Sequence, residues 1–349
     1  MDCQYTISEI DHAGSLLTQD PQNEDALEKL NSWRAFHTQF LDEIISKTLS
    51  NLVKNINEQK DFSISISSRP KRTTSIINKL QRLPRLRLSQ IQDIVGIRYV
   101  VTPKNIQVND SSWFTDFITK QKEYLPNYFT IKRTSNYIDR PRETGYRAVH
   151  FVLEYKNPKQ PKFDNLQFEL QIRTHYQHLW AMAVETIDMV YGKSLKTSKE
   201  NDPEGWSDFF GYASALISCR ENMPILEIHA QKNEITIRNE LLQLEREKKF
   251  LTKLSLISEI TEKPWAKDYD YWILEVNIKK RTPRALGFKA DALKNAIALY
   301  DAREQNPDCL RGDVHVVLVS GQGFRDIRDA YPSYFLDIKD FFALVSSER

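Results

Sequence analysis

The feature that most constrains the fold is a seven-residue segment, 167–173, in which polar and apolar residues alternate without a break. Its polar positions are Gln167, Glu169, Gln171 and Arg173, and its apolar positions are Phe168, Leu170 and Ile172. Successive side chains of a β-strand point to opposite faces. The segment therefore predicts a strand with one apolar and one polar face, and it places a carboxylate in the middle of the polar face.

Apolar spacing predicts further helices and strands on both sides of this segment. Before it, we expect a helix over 30–53, a short helix that Thr73 or Thr74 caps and Pro84 ends, and strands at 91–101 and 149–155. After it, Thr174 is expected to cap a helix that runs to about 190, and helices are expected to continue to about 260. Further predictions are strands at 272–279 and 314–320, and helices near 293–300, 324–330 and 335–345.

Polar and proline-containing breaks divide the chain into four predicted parts. A break stands at 201–205 and a second at Lys263-Pro264. The parts are an N-terminal helical segment over 1–60, a central domain over 61–200, a helical segment over 201–262, and a small α/β module of unknown role over 263–349.

Composition excludes several classes of protein. With 40% hydrophobic residues in 349, the chain can bury a substantial core, but it has no apolar run of the roughly 20 residues that a membrane helix needs. The N-terminus lacks the pattern of a secretory signal. The three cysteines are far apart, so a disulfide framework is not indicated. We therefore expect a cytoplasmic protein with no membrane partner.

Positive charge is concentrated in one stretch, although the net charge is only +2. Segment 69–87 contains no acidic residue, and its basic residues are Arg69, Lys71, Arg72, Lys79, Arg82, Arg85 and Arg87. Such a patch favours phosphate groups, either of a nucleotide or of RNA. A solvated basic face is the alternative interpretation.

Four segments together contain the residues that suit phosphoryl chemistry. They are 69–79, with Arg69, Lys71, Ser75 and Lys79; 93–98, with Asp93 and Arg98; 145–150, with Tyr146 and His150; and 169–174, with Glu169 and Gln171. The carboxylates Asp93 and Glu169 are hard ligands of the kind that holds Mg²⁺ against phosphates. Phosphoryl-type transfer depends on positioning and on neutralisation of charge, for which cations and a metal site are suited.

In this order, the four segments resemble the synthetase domain of the RelA/SpoT family, which makes the alarmones ppGpp and pppGpp. The similarity extends over about 140 residues, from near 63 to near 196. Single-domain relatives, the small alarmone synthetases, also share segments 31–37, 180–185 and 206–210. The resemblance implies an α+β fold, in which a mixed five-stranded sheet of the nucleotidyltransferase-like type is flanked by helices.

The resemblance also implies a role for each site residue. Residues expected to bind ATP, the pyrophosphate donor, are Arg69, Lys71, Ser75, Lys79 and Arg98. Asp93 would hold Mg²⁺, and Glu169 would complete the metal site or act as the base on the attacking 3′-hydroxyl. Residues expected to bind the acceptor are Arg142, Tyr146, which would stack on its base, His150 and Gln171. The implied reaction moves pyrophosphate from ATP to GTP or GDP and releases AMP.

The sequence departs from the family pattern mainly on the acceptor side. Thr144 stands where the family commonly has Asn, Arg142 where it has Lys, and Thr186 where it often has His. Two alternatives therefore stay open: a toxin-type relative that modifies adenine nucleotides or the tRNA 3′ end, and a catalytically silent nucleotide sensor.

Two further expectations concern breakdown of the product and the C-terminal module. No histidine is followed by Asp, so the metal motif of the family's hydrolase domain is absent and we expect synthesis without hydrolysis. The C-terminal module is a candidate for homo-oligomer formation or for binding a regulatory partner.

Overall fold

The computed structural model describes residues 4–45, 48–49, 62–104, 112–191, 202, 205–248, 250–251, 269–277, 282–311, 313–320 and 339–346. Its strands are β1 (Phe62–Pro70), β2 (Val95–Pro103), β3 (Phe129–Asn136), β4 (Val149–Tyr155), β5 (Gln167–Thr174), β6 (Tyr271–Asn277), β7 (Thr282–Phe288) and β8 (Val314–Ser320). Its main helices are α1 (Ile7–Gln19), α2 (Glu24–Phe40), α3 (Thr73–Arg82), α4 (Ser112–Tyr124), α5 (His175–Tyr191), α6 (Trp206–Glu221), α7 (Glu234–Lys248), α8 (Leu293–Glu304) and α9 (Lys339–Ser346).

The larger sheet has five strands in the order β1-β2-β5-β4-β3. Strands β2 and β5 are parallel, whereas the β1–β2, β3–β4 and β4–β5 pairs are antiparallel. This arrangement confirms the mixed five-stranded sheet with flanking helices. The predicted strand at 149–155 has the observed bounds, and the predicted strand at 167–173 extends one residue further, to Thr174.

The two faces of this sheet have different environments, as the alternation in β5 predicts. On one face, Tyr99, Phe151 and Leu170 are buried in a core that also contains Leu30 and Phe40 of α2. The half-buried polar side chains of the opposite face include those of Arg98, His150, Glu169 and Gln171. The candidate chemistry therefore lies on the face that the main core leaves free.

A second core supports one end of the polar face. Tyr146 and Ala148, in the loop before β4, are buried with apolar side chains of α5, α6, α7 and α9.

Thr174 caps α5 as predicted, because its hydroxyl accepts a hydrogen bond from the Gln177 amide and its own amide donates to the Gln177 side chain, both at 3.2 Å.

The C-terminal part contains a three-stranded sheet in the order β7-β6-β8, on which α8 packs around Ala296 and Tyr300. Strand β8 also contacts β1, an outer strand of the larger sheet. Within the residues that are described, no helix combines the length and the apolar character needed to cross a membrane.

Several predicted bounds are wrong for identifiable reasons. The helix predicted over 30–53 begins earlier, at Glu24, and continues past Phe40 as a π-helical turn over 41–45, while 50–53 lies outside the described residues. The strand predicted over 91–101 begins only at Val95, since 92–94 forms a turn. Thr73 does not cap α3 but is its first residue, after Arg72.

Some helices and strands were not predicted, and some predictions fall on residues outside the described part of the chain. The sequence pattern did not individually predict the strands β1, β3 and β7 or the helices α1 and α4. The helix predicted near 324–330 lies outside the described residues. The predicted part boundaries fall within 51–61, 192–201 and 252–268, which also lie outside them, so the boundaries stay predictions.

Candidate active site

Asp93 is held between two lysines in the turn that leads into β2. Lys71 Nζ donates to Asp93 Oδ2 at 2.7 Å, and Lys79 Nζ donates to Asp93 Oδ1 at 2.8 Å. The three side chains are between 22% and 24% exposed. Burial alone would raise the pKa of the carboxyl, but the two ammonium groups outweigh it and hold the pKa of Asp93 well below its usual range. The residues therefore form a compact, ionised, net positive cluster.

Local structure brings both lysines to this carboxylate. The antiparallel pairing of β1 with β2 places Pro70 opposite Val95, and the Lys71 amide donates to the Ile94 carbonyl at 2.7 Å. Lys71 therefore lies beside the turn that contains Asp93. Lys79 lies on α3, next to the buried stripe of that helix, and its long side chain reaches past the stripe to the carboxylate.

Glu169 lies on the polar face of β5, where its backbone pairs with Gly96 of β2. His150 Nδ1 is 2.8 Å from Glu169 Oε1, and Gln171 Nε2 donates to Oε2 at 2.7 Å. Burial raises the pKa of Glu169, but the contacts with His150 and Gln171 outweigh it and lower the pKa to about 2. The charge of Asp93 acts in the raising direction, so the two carboxylates influence each other electrostatically.

A chain of hydrogen bonds runs from Glu169 into the second core. A carboxylate can only accept, so His150 donates from Nδ1. In a neutral His150, Nε2 is then the acceptor for the Tyr146 hydroxyl, 2.8 Å away. Arg173 Nη2 donates to the same hydroxyl at 2.7 Å and to Gln171 Oε1 at 2.9 Å. Glu169 is thus oriented through a relay whose far end is a fully buried arginine.

Tyr146, predicted to stack on the acceptor base, is only 3% exposed. The Arg142 guanidinium lies 5.7 Å from its ring centre and 4.7 Å from that of Tyr137, whose hydroxyl accepts from Arg142 Nη2 at 3.0 Å. Arg142 therefore lies against both aromatic rings. Stacking of a base on Tyr146 stays a prediction.

The loop before Tyr146 depends on a glycine. Gly145 has φ +94°, and a Cβ atom there would lie 2.9 Å from Ser214 Cβ and 3.2 Å from the Trp180 ring. Both the backbone conformation and the close packing on α5 and α6 exclude larger residues. This glycine is the reason why the loop can place Tyr146 in the second core.

The remaining predicted donor residues are less closely connected to the two carboxylates. Arg98 Nη2 lies 3.9 Å from Glu185 Oε1 on α5, and Ser75 is half-buried on α3. For Arg69, the structure describes the backbone, which pairs with Gly96, while the side chain lies outside the described part. The predicted contacts of these residues with ATP stay predictions.

Sequence reasoning missed three contributors to the site. Arg173 was placed on the polar face by alternation, but its contact with Tyr146 depends on the folded loop. Tyr137 follows β3, a strand that was not predicted, and Glu185 entered only as the last residue of the shared segment 180–185. The signal for Arg173 was present in the sequence, because a charged residue ends an otherwise uncharged polar face after Glu169.

The donor set fits a magnesium ion with two protein carboxylates. Within the described part of the chain, His, Cys, Asp and Glu side chains do not gather in groups of three or more that could hold a metal. Mg²⁺ is usually held by one or two carboxylates together with substrate phosphates, so Asp93 and Glu169 would suffice. Each carboxylate oxygen accepts one hydrogen bond here, which leaves lone pairs for a metal.

The residues of the candidate site fall within a span of the chain that matches a family model. The family model described as "Region found in RelA / SpoT proteins" matches residues 68–194. GTP pyrophosphokinase YjbM of Bacillus subtilis is 28% identical over 134 residues, which cover 37% of this chain and 58% of YjbM. An uncharacterised protein of Mycobacterium tuberculosis is 29% identical over 133 residues, 38% of this chain and 42% of that protein. The chain thus matches about half the length of these relatives.

Solved structures of small alarmone synthetases are also similar to this chain. The match to small alarmone synthetase 1 of Bacillus subtilis, bound to its product pppGpp, covers 53% of this chain and 88% of the synthetase chain, at 23% identity and a TM-score of 0.43. The match to small alarmone synthetase 2 of the same organism covers 60% of this chain and 94% of the synthetase chain, at 20% identity and a TM-score of 0.42.

Proposed function

We propose that this chain, whose residues 68–194 match the RelA/SpoT region, is an ATP-dependent diphosphotransferase that makes (p)ppGpp from GTP or GDP. The observation that carries the proposal is the pair of ionised carboxylates: Asp93, held by two lysines in the turn before β2, and Glu169 on the free face of the sheet. A binding module does not need two acids that influence each other electrostatically, whereas transfer between polyphosphates needs metal ligands and cations together.

In this proposal, the acceptor 3′-oxygen forms a bond to the β-phosphorus of ATP. The bond between that phosphorus and the bridging oxygen to the α-phosphate breaks, AMP leaves, and the hydroxyl proton passes to solvent or a site carboxylate. Lys71 and Lys79 exchange Asp93 for phosphate oxygens of the donor, where they neutralise developing charge. Mg²⁺, when bound by Asp93 and Glu169, supplies further charge neutralisation and aligns the phosphates.

The pKa of Glu169 bears on which of its two predicted roles is favoured. A carboxylate with a pKa of about 2 is a weak proton acceptor at neutral pH. Its permanent negative charge suits a metal ligand better. We therefore favour the metal-binding role for Glu169 over the role of general base.

A product assay tests the proposal and separates its alternatives. Purified protein is incubated with γ-labelled ATP and Mg²⁺, and with GTP, GDP, unlabelled ATP or deacylated tRNA in parallel. Label in a guanine nucleotide supports the proposal, and Asp93→Asn should abolish it. Label only in adenine nucleotides or tRNA would assign the toxin-type activity instead. Nucleotide binding without any product would assign the silent sensor.

One observation favours tRNA as a second candidate acceptor. Arg82, Arg85 and Arg87 are exposed at and beyond the end of α3, the helix that contains Lys79. Exposed arginines beside a phosphate site are suited to the backbone of a polynucleotide. Reversing the charge of Arg82 and Arg85 should weaken labelling of tRNA and leave labelling of guanine nucleotides unchanged; equal effects on both would contradict this role.

A further inference from the structure

A buried polar cluster joins the C-terminal module to the beginning of α3. It consists of Arg34 on α2, Thr73 at the start of α3, and Tyr300 and Glu304 on α8, each no more than 4% exposed. Arg34 Nη1 donates to Glu304 Oε2 at 2.8 Å and to Thr73 Oγ1 at 2.7 Å, and Arg34 Nη2 donates to the Tyr300 hydroxyl at 2.8 Å. A buried guanidinium is stable only with such partners, so the cluster depends on all of its members.

Glu304 also caps α3 from outside. Its Oε1 accepts from the Thr73 amide at 2.9 Å, and its Oε2 accepts from the Thr73 hydroxyl at 2.8 Å. The residue before the helix, Arg72, provides no side-chain cap. The first amides of a helix lack partners within it, so a carboxylate at this end stabilises the helix. The helix that contains Ser75 and Lys79 is thus anchored by a residue 231 positions away in the sequence.

The same cluster reaches the lysine beside Asp93. Arg34 Nε donates to the Lys71 carbonyl at 3.1 Å. The Lys71 amide donates to the Ile94 carbonyl, and its ammonium to Asp93. Lys71 is therefore held at three points. One of them is Arg34, whose own orientation depends on Glu304 and Tyr300.

We infer that Arg34, Tyr300 and Glu304 are positioning residues for Lys71, so that the C-terminal module completes the ATP side of the site. The inference rests on the proposed function. When Glu304 loses its charge, Arg34 keeps only Asp301, 3.6 Å from Nη1, as an acidic partner, so its hold on the Lys71 carbonyl weakens. The Thr73 amide at the start of α3 then loses a charged acceptor. On the acceptor side, Tyr146 bonds to His150 and His150 to Glu169, so binding of the acceptor should be unaffected.

The test compares three variants of the full chain. Glu304→Gln removes the charge, and Tyr300→Phe removes one hydroxyl with little risk to folding. Arg303→Gln is the control, because Arg303 lies on the same helix but pairs with Glu275 inside the module, at 3.2 Å. Readouts are the KM for ATP, the KM for the acceptor, binding of a non-hydrolysable ATP analogue, and hydrogen exchange of the amides of 71–80.

Glu304→Gln should raise the KM for ATP and the Kd of the analogue between about tenfold and about a hundredfold, the range expected for lost charge-assisted hydrogen bonds. Tyr300→Phe should raise them by about fivefold, as for one neutral hydrogen bond. In both variants the acceptor KM should stay unchanged and amide exchange over 71–80 should accelerate. The control should match the wild type in every readout.

Two results would overturn the inference. One is that Tyr300→Phe and Glu304→Gln match the wild type in ATP affinity and in exchange over 71–80. The other is that they increase activity, which would mean that the module restrains the site. Failure of the proposed function looks different, because the wild type itself would then form no product and bind no analogue. In that case the exchange of 71–80 still decides whether Glu304 holds this segment.

Discussion

The charge of Glu169 should contribute measurably to stability, and Glu169→Gln is the change that tests this. Glutamine retains the shape of the side chain and can still accept from His150, but it carries no charge. In the folded protein the pKa of Glu169 is about 2, against 4.5 for an ordinary glutamate, because His150 and Gln171 together outweigh the cost of burial. The folded state therefore favours the ionised form.

The size of the effect follows from these two pKa values. They differ by about 2.5 pH units, and one unit corresponds to 1.36 kcal/mol, so ionisation stabilises the folded state by about 3 kcal/mol at neutral pH. Because the folded pKa is the lower one, this contribution is complete above about pH 4.5 and is lost as the pH falls towards 2. It should be about half its full size near pH 3.

Urea unfolding of the wild type and Glu169→Gln between pH 7 and pH 3 measures this contribution directly. The control is Glu154→Gln on the neighbouring strand, where Glu154 contacts Gln167 and the half-exposed Lys132. Its loss of stability should stay below about 1 kcal/mol, as is usual for surface pairs. In the product assay, Glu169→Gln should lower the rate at least about a hundredfold, while the control retains activity.

The reasoning fails if Glu169→Gln is as stable as the wild type at pH 7. It also fails if the difference between the two proteins stays constant down to pH 3, because the contribution would then not come from the charge. If stability falls as expected while product formation is unchanged, Glu169 has a structural role and its proposed role as a metal ligand is wrong.

Three further predictions concern the loops and cations of the site. Gly145→Ala should lower the free energy of unfolding, measured in urea, by about 1–3 kcal/mol. Gly96→Ala is the control and should lower it less, because the nearest atom to the new Cβ would be 3.8 Å away. Equal losses of stability in the two variants would contradict the packing argument. Lys79→Gln should raise the KM for ATP about tenfold, and the control Lys132→Gln should leave it unchanged. An unchanged KM for ATP in Lys79→Gln would contradict the assignment of Lys79 to the donor site. Arg142→Ala should change the KM for the acceptor alone; a change confined to ATP would reverse the assignment.

The strands of the site were predictable where local pattern and tertiary environment agree. Strand β5 separates a core from a free face, so its alternation is visible in the sequence. Strand β4 is largely buried, so most of its residues are apolar and its sequence predicts a strand. Strand β1 was missed although Phe62, Ile64 and Ile66 alternate with serines, because serine is a weak strand former. The start of β2 was misjudged since the apolar residues Ile91 and Ile94 belong to a buried turn rather than to the strand.

The site residues were predictable as a set, but their contacts were not. Resemblance assigned Lys71 and Lys79 to ATP and Asp93 to a metal, whereas the structure pairs all three. That pairing depends on the register of β1 against β2. No local sequence pattern predicts the contact of Glu304 with Thr73, because the two residues are 231 positions apart and meet only in the folded chain.

The position of β8 beside β1 has a consequence for any shortened form of this protein. β1 is an outer strand of the larger sheet, paired with β2 on one side, and β8 contacts it. An uncovered outer strand presents unpaired amides and carbonyls, which recruit strands from other molecules. A chain cut before β6 would lose β8 as a neighbour of this strand, which favours self-association through β1. Such a fragment would also lose α9 from the second core and Glu304 from the buried cluster, so its aggregation would have more than one structural source.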